Sequence, residues 1–197
     1  MVETLRDNSD TDSDNDDTLD RRSRILGGAR AAFLRYGFER ASMADIASGA
    51  GVSRTALYHY FPGKEDVLRA VVDELQAKTL NAAAKALKES QTLSAALTGL
   101  LKAKFGPTLA LTTESPHGVE LVEATHRLTA PAIIAADQAL HALVVKALKR
   151  YGRTKEADAV ADTLIAAAKG LMRSGEDHVP KAKFEERIHR LVAWAIN

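Results

Sequence analysis

Residues Met43–Leu68 read MADIASGAGVSRTALYHYFPGKEDVL, and their spacing decides the fold. Met43, Ile46, Ala47 and Ala50 recur at helical intervals, with Ser42 in the position of an N-cap and Gly51 just past the end. Ser53 caps a second short helix that runs to about Tyr60. Phe61-Pro62-Gly63 stops it, because a proline ring pushes the preceding residue out of helical geometry. A helix, a tight turn centred on Gly51 and a second short helix are the arrangement in which one helix braces a DNA backbone while the other enters the major groove. The physical reading is a helix-turn-helix.

Outward from this stretch the helical period continues in both directions. Upstream, Ile25, Ala29, Ala32, Phe33 and Tyr36 share one face of a helix that begins near Leu19 and that Gly37 closes. Downstream, Val67, Leu68, Val71, Val72 and Leu75 start a long helix at Lys64. No window alternates with the period of two that a half-buried strand requires. Pro107, Pro116, Pro131 and Pro180 each precede an apolar-periodic segment, where proline suits a first helical turn. The spacing predicts helices near 64–88, 92–105, 107–114, 116–128, 131–151, 155–173 and 181–196. The fold expected is all-α, with residues 19–68 as the helix-turn-helix domain and residues 69–197 as a helical body.

Charge divides the chain further. Residues 1–20 hold eight acids against Arg6, a balance of −7, whereas residues 21–69 carry nine basic and four acidic residues, a balance of +5. The basic module invites a polyanion. Residues 1–18, mostly Asp, Ser, Asn and Thr, bury too little to offset ordering and are expected to be a disordered acidic tail. With 46% hydrophobic residues and no cysteine, the chain has the means for a core but not for a disulfide framework, a thiolate nucleophile or a Cys-based zinc site. The longest run free of Asp, Glu, Lys and Arg, Ser90–Leu101, is too short to span a bilayer, so the expectation is a cytoplasmic protein with no membrane partner. Catalysis has no support: there is no Gly-rich phosphate loop and no nucleophile elbow. No cofactor is expected.

Ile46-Ala47, Ala50-Gly51-Val52-Ser53, Leu57-Tyr58, Tyr60-Phe61 and Lys64-Glu65 together resemble, in order and spacing, the N-terminal DNA-binding domain of the TetR family of bacterial transcriptional regulators. The resemblance runs from about Arg24 to Leu75 and includes the Phe33 and Gly37-Phe38 pattern. Thr55, where the family usually has a smaller residue, and Ala56, where it often has Thr or Ser, depart from the pattern, so no operator sequence carries over. Val52, Leu57 and Phe61 are read as core. Arg54 and Thr55 are assigned to base edges, since arginine can donate two hydrogen bonds to guanine and threonine offers a methyl to thymine. Tyr58, His59 and Tyr60 are assigned to phosphate or sugar. Ser42 can donate to a phosphate or simply cap its helix, and the resemblance implies a phosphate contact for Lys64.

The resemblance also implies that residues 69–197 enclose a small-molecule pocket and dimerise through the last two helices. Val160, Leu164, Ala168 and Leu171 form one apolar stripe, and Phe184, Ile188, Leu191 and Ala195 form another. Ala157, Ala161 and Ala168 are small enough to admit a second helix. Candidate pocket residues are Leu101, Phe105, Leu109, Leu121 and Ile134 as walls, with His117, Glu120 or His126 orienting a ligand. Steps of three along His117, Glu120, Glu123 and His126 drift around the helix, so no metal site is expected. The function expected is a homodimeric repressor, not an enzyme, released from a palindromic double-stranded DNA operator by a small-molecule effector. Two other classes stay open: a helical DNA-binding protein without effector, and a helical protein that binds a small molecule or metal.

Overall fold

A computed structural model describes residues 10–174 and 177–196. Among these the chain forms nine helices and one two-rung antiparallel ladder, and it divides after Val71 into two compact units.

The first unit holds α1 (Asp10–Tyr36), α2 (Met43–Ala50), α3 (Arg54–Tyr60) and the opening turns of α4 (Lys64–Glu89). Ile25, Ala29, Phe33, Ile46, Leu57 and Val67, which the periodicity places in its core, are buried, and Leu26 joins them. Each large aliphatic or aromatic side chain buried this way contributes about 1.5–3 kcal/mol. Tyr36, expected on that face, is instead exposed at the end of α1. α1 and α2 approach backbone to backbone where Gly28 meets Gly49 and Ala50, since a Cβ on Gly28 would lie 2.5 Å from the Ala50 amide nitrogen. The start of α1 corrects one expectation. Helix covers residues 10–18, assigned above to a disordered tail, and only residues 1–9 of that tail fall outside the described residues. Acids near a helix N-terminus are favoured by its dipole, and extending an existing helix costs far less than nucleating one.

The second unit comprises the rest of α4, α5 (Leu93–Glu114), α6 (Gly118–Leu128), α7 (Ala130–Arg150), α8 (Ala157–Leu171) and α9 (Lys181–Ile196). Between α8 and α9 lies a two-rung antiparallel ladder, β1 (Arg173–Ser174) with β2 (Asp177–His178). Leu97, Leu100, Leu101, Leu140, Val144, Leu164, Phe184 and Ile188 form the centre of the core. The terminal carbonyls of α4 find donors on α7 and just beyond it: Arg150 donates to the Leu87 carbonyl at 2.9 Å and the Tyr151 hydroxyl to that of Ser90 at 2.8 Å.

Two expectations change here. The helices predicted over 92–105 and 107–114 are one helix, α5, with Pro107 inside it. An interior proline costs roughly 3 kcal/mol, which burial of Leu100, Leu101, Phe105 and Leu109 on both sides of it offsets. The small residues Ala157, Ala161 and Ala168, expected to admit a second helix from another copy, are buried inside the chain, as are Leu164, Phe184 and Ile188. Helix α7 is long and apolar enough to cross a membrane by length and composition alone. Its Leu140, Val144 and Leu148 are buried in the core, however, and Asp137 on it is ion-paired.

Candidate nucleic-acid interface and effector cavity

The turn between α2 and α3 is set by local chemistry. Gly51 adopts φ 64°, a left-handed conformation that costs a side chain-bearing residue energy, and its amide and that of Val52 return to carbonyls at the end of α2. At the other end of α2 a capping box closes. The Asp45 amide donates to Ser42 Oγ at 3.2 Å, and the Ser42 amide donates to Asp45 Oδ2 at 2.9 Å. The Ser42 hydroxyl also donates to the same carboxylate at 2.5 Å. These bonds from Ser42 hold the Asp45 carboxyl below its ordinary range. They also commit the single hydroxyl proton of Ser42, so a phosphate would have to displace Asp45 to receive it.

Helix α3 starts from the Ser53 cap, whose Oγ accepts from the Ala56 amide at 3.1 Å. Leu57 is fully buried and Phe61 nearly so, which anchors the helix along one side. Arg54, Thr55, Tyr58 and His59 are exposed, Tyr58 at 47%, whereas Tyr60 is half-buried. A large ring exposed to this degree beside an arginine and a histidine is a surface suited to a polyanion with stacked bases.

Lys64, expected to contact a phosphate, is held by partners within the protein. Its ammonium donates to the carbonyls of Phe38, Glu39 and Ala41 at 2.9, 2.8 and 3.3 Å, and lies 4.8 Å from the centroid of the Phe38 ring. All three donors of the ammonium are thereby used. Lys64 fastens the loop between α1 and α2 to the start of α4, a role that sequence reasoning missed because carbonyls carry no sequence signal.

The second unit contains a cavity of about 360 Å³. Val72, Leu75, Phe105, Leu111, Val122 and Ile133 supply apolar lining, and Gln76, Lys104, His126, Asp137 and Lys169 supply polar groups. Of the eight residues expected around a ligand, Phe105 and His126 line this cavity. Leu101, Leu109 and Leu121 are buried in packing rather than on the cavity wall. Ile134 is 57% exposed and borders an open depression with Gln138, His141, Asp158 and Asp162 that shares Asp137 and Lys169 with the cavity, while its neighbour Ile133 takes the wall position, since one residue turns the side chain by about 100°. His117 and Glu120 pair with each other at 3.5 Å, away from the lining. The residues missed were Lys104, Asp137 and Lys169, which lie on three different helices and come together only in the fold.

Comparison with known proteins bears on the first unit most directly. Residues 25–71 match the model of the bacterial regulatory proteins of the tetR family. The HTH-type transcriptional regulator EthR of Mycolicibacterium smegmatis is 43% identical over 56 residues, 28% of this chain and 26% of that protein. The HTH-type transcriptional repressor Rv1474c of Mycobacterium tuberculosis is 37% identical over 54 residues, 27% of this chain and 29% of that protein. The matches thus span less than a third of these relatives' length. Over the whole fold, a crystal structure described as a putative TetR-family transcriptional regulator from Mesorhizobium loti superposes with a TM-score of 0.68 at 20% identity, covering 89% of this chain and 95% of that one. Residues 25–71 are therefore similar to the N-terminal domain of the tetR family of bacterial regulatory proteins, and the chain as a whole shares its fold with the Mesorhizobium loti structure.

Proposed function

We propose that the protein is a dimeric, ligand-responsive transcriptional repressor that reads a palindromic operator with α3 and is released from it by a small molecule held in the second unit. The observation that carries the reading is the division of α3 into a buried side, Leu57, and an exposed side, Arg54, Thr55, Tyr58 and His59. Arg54 and Thr55, in the first turn, take the base edges, while Tyr58 and His59 take phosphate or sugar. Tyr60, half-buried, and Ser42 and Lys64, both engaged with protein partners, serve mainly to hold the unit in shape. A helix as short as α3 reads few bases, so a second copy is needed to complete a two-fold operator. The dimer forms through the outward faces of α8 and α9, where Ala159, Thr163, Ala166 and the 77% exposed Trp194 lie. Helix α4 supplies the link to the ligand, because Val72, Leu75, Gln76 and Thr79 on it line the cavity.

Selection of bound sequences from a random duplex library tests this. The expected motif is a near-palindrome. Arg54→Ala costs about 1–3 kcal/mol in affinity and relaxes preference at one position per half-site. An unchanged motif with unchanged affinity would show that Arg54 does not read bases.

A further inference from the structure

The cavity of the second unit has a charged corner. Lys104 Nζ donates to Gln76 Oε1 at 2.7 Å and lies 3.4 Å from Asp137 Oδ1. Lys169 Nζ donates to the other oxygen, Asp137 Oδ2, at 2.6 Å. One carboxylate therefore serves two ammonium groups, and the cluster of two lysines and one aspartate carries +1. All four side chains line the same cavity.

This surplus is unusual for its position. Lys104 is only 8% exposed, and its burial pushes the ammonium below the ordinary lysine range; Asp137 opposes the fall and Lys169 adds to it. An ammonium buried as deeply as that of Lys104 rarely improves on a well-packed apolar side chain, and it shares its one carboxylate with the half-exposed Lys169, so the corner is a poor device for stability alone. Their chemistry fits a missing second anion. The rest of the lining limits what can deliver it: Leu75, Phe105, Leu111, Val122 and Ile133 demand an apolar body. A dianionic head such as a phosphate monoester would exceed the +1 of the cluster, whereas a carboxylate balances it.

Resting on the effector-cavity reading above, we infer that the cavity takes an amphiphilic organic monoanion. Its carboxylate seats between Lys104 and Lys169, and its apolar body lies along Phe105, Leu111, Val122 and Ile133. Asp137 is then the competitor that fills the site's electrostatic role while the cavity is empty, and His126, exposed where it borders the cavity, is the remaining titratable group on the lining.

The test is calorimetric titration of the full chain with three probes of one chain length, decanoate, decan-1-ol and decylamine, each below its micellar concentration. Decanoate is expected to bind roughly tenfold or more tighter than the alcohol, as a charge-assisted hydrogen bond implies, and the amine weakest. Lys169→Met, at a side chain about half exposed, should reduce decanoate affinity severalfold and leave the alcohol unchanged. Lys104→Met should do the same, with circular dichroism as the check that it folds. Asp137→Asn should tighten decanoate, a gain that a merely structural ion pair would not produce. Alcohol or amine binding as tightly as decanoate, or Asp137→Asn weakening decanoate, would overturn the monoanion assignment while leaving a ligand cavity in place. Failure of all three probes would overturn the cavity reading with it.

Discussion

Replacing Lys64 with methionine separates two jobs that a lysine at the start of α4 can have. Methionine keeps most of the aliphatic stem and loses the ammonium, so the carbonyls of Phe38, Glu39 and Ala41 lose their shared donor at 2.9, 2.8 and 3.3 Å. A hydrogen bond from a charged group is worth about 1.5–3 kcal/mol when shielded, but Lys64 is half-buried and water can reach part of the vacated space, which brings the total to about 1–3 kcal/mol. The assay must report the first unit alone. Trp194, the single tryptophan, lies in the second unit, so its fluorescence is the wrong probe; amide hydrogen exchange across residues 37–50 is the right one. Protection there is expected to fall by that amount, while the salt dependence of operator binding keeps its slope. A phosphate contact would behave in the opposite way: the slope of log affinity against log salt would drop by about 0.9 for each lysine removed. Unchanged protection together with that drop would refute the fastening role and restore the phosphate contact implied by the family resemblance.

Three further outcomes follow from the same geometry. Gly28→Ala would place a Cβ 2.5 Å from the Ala50 nitrogen, a backbone atom that cannot swing aside, so the α1–α2 crossing must open at a cost of about 1–3 kcal/mol and operator affinity falls; an unchanged exchange pattern in α2 would contradict the close approach. Because Asp45 is held below its ordinary 3.8 by Ser42, the capping box stabilises α2 fully above roughly pH 4 and is lost as acid titrates the carboxylate through its lowered folded value. Asp45→Asn should therefore differ from the parent chain in α2 protection at pH 6 and converge with it in acid, and a difference independent of pH would rule out the carboxylate as the cause. Trp194→Glu should shift the chain toward monomer in sedimentation and make operator binding steeply dependent on protein concentration; a monomeric parent chain would dismiss the proposed interface.

What could be read from the sequence follows the range of each signal. The boundaries of α2 and α3 were legible almost to the residue, because Ser42, Gly51, Ser53 and Pro62 act on their immediate neighbours and need no tertiary partner. Pro107 misled for the complementary reason: its local preference to end a helix was outweighed by burial on both sides of it, a tertiary effect with no mark in the sequence around it. The Asp-rich stretch from residue 10 was likewise judged on its own composition, although the helix there continues one already fixed by the burial of Ile25, Leu26 and Phe33. On α3, exposure could be inferred from phase, which placed Arg54, Thr55, Tyr58 and His59 on the surface, whereas Tyr60 is half-buried. The cavity was the least legible part. Its polar corner joins Gln76 of α4, Lys104 of α5, Asp137 of α7 and Lys169 of α8, separated by 28 residues or more, and a reading of periodicity treats each of them as one more solvated charge. Such a corner is visible only once four helices have packed. The charges that line the cavity are therefore set by the arrangement of the second unit, which lies outside the family match, while the exposed side of α3 is set by local signals in the first, which lies within it.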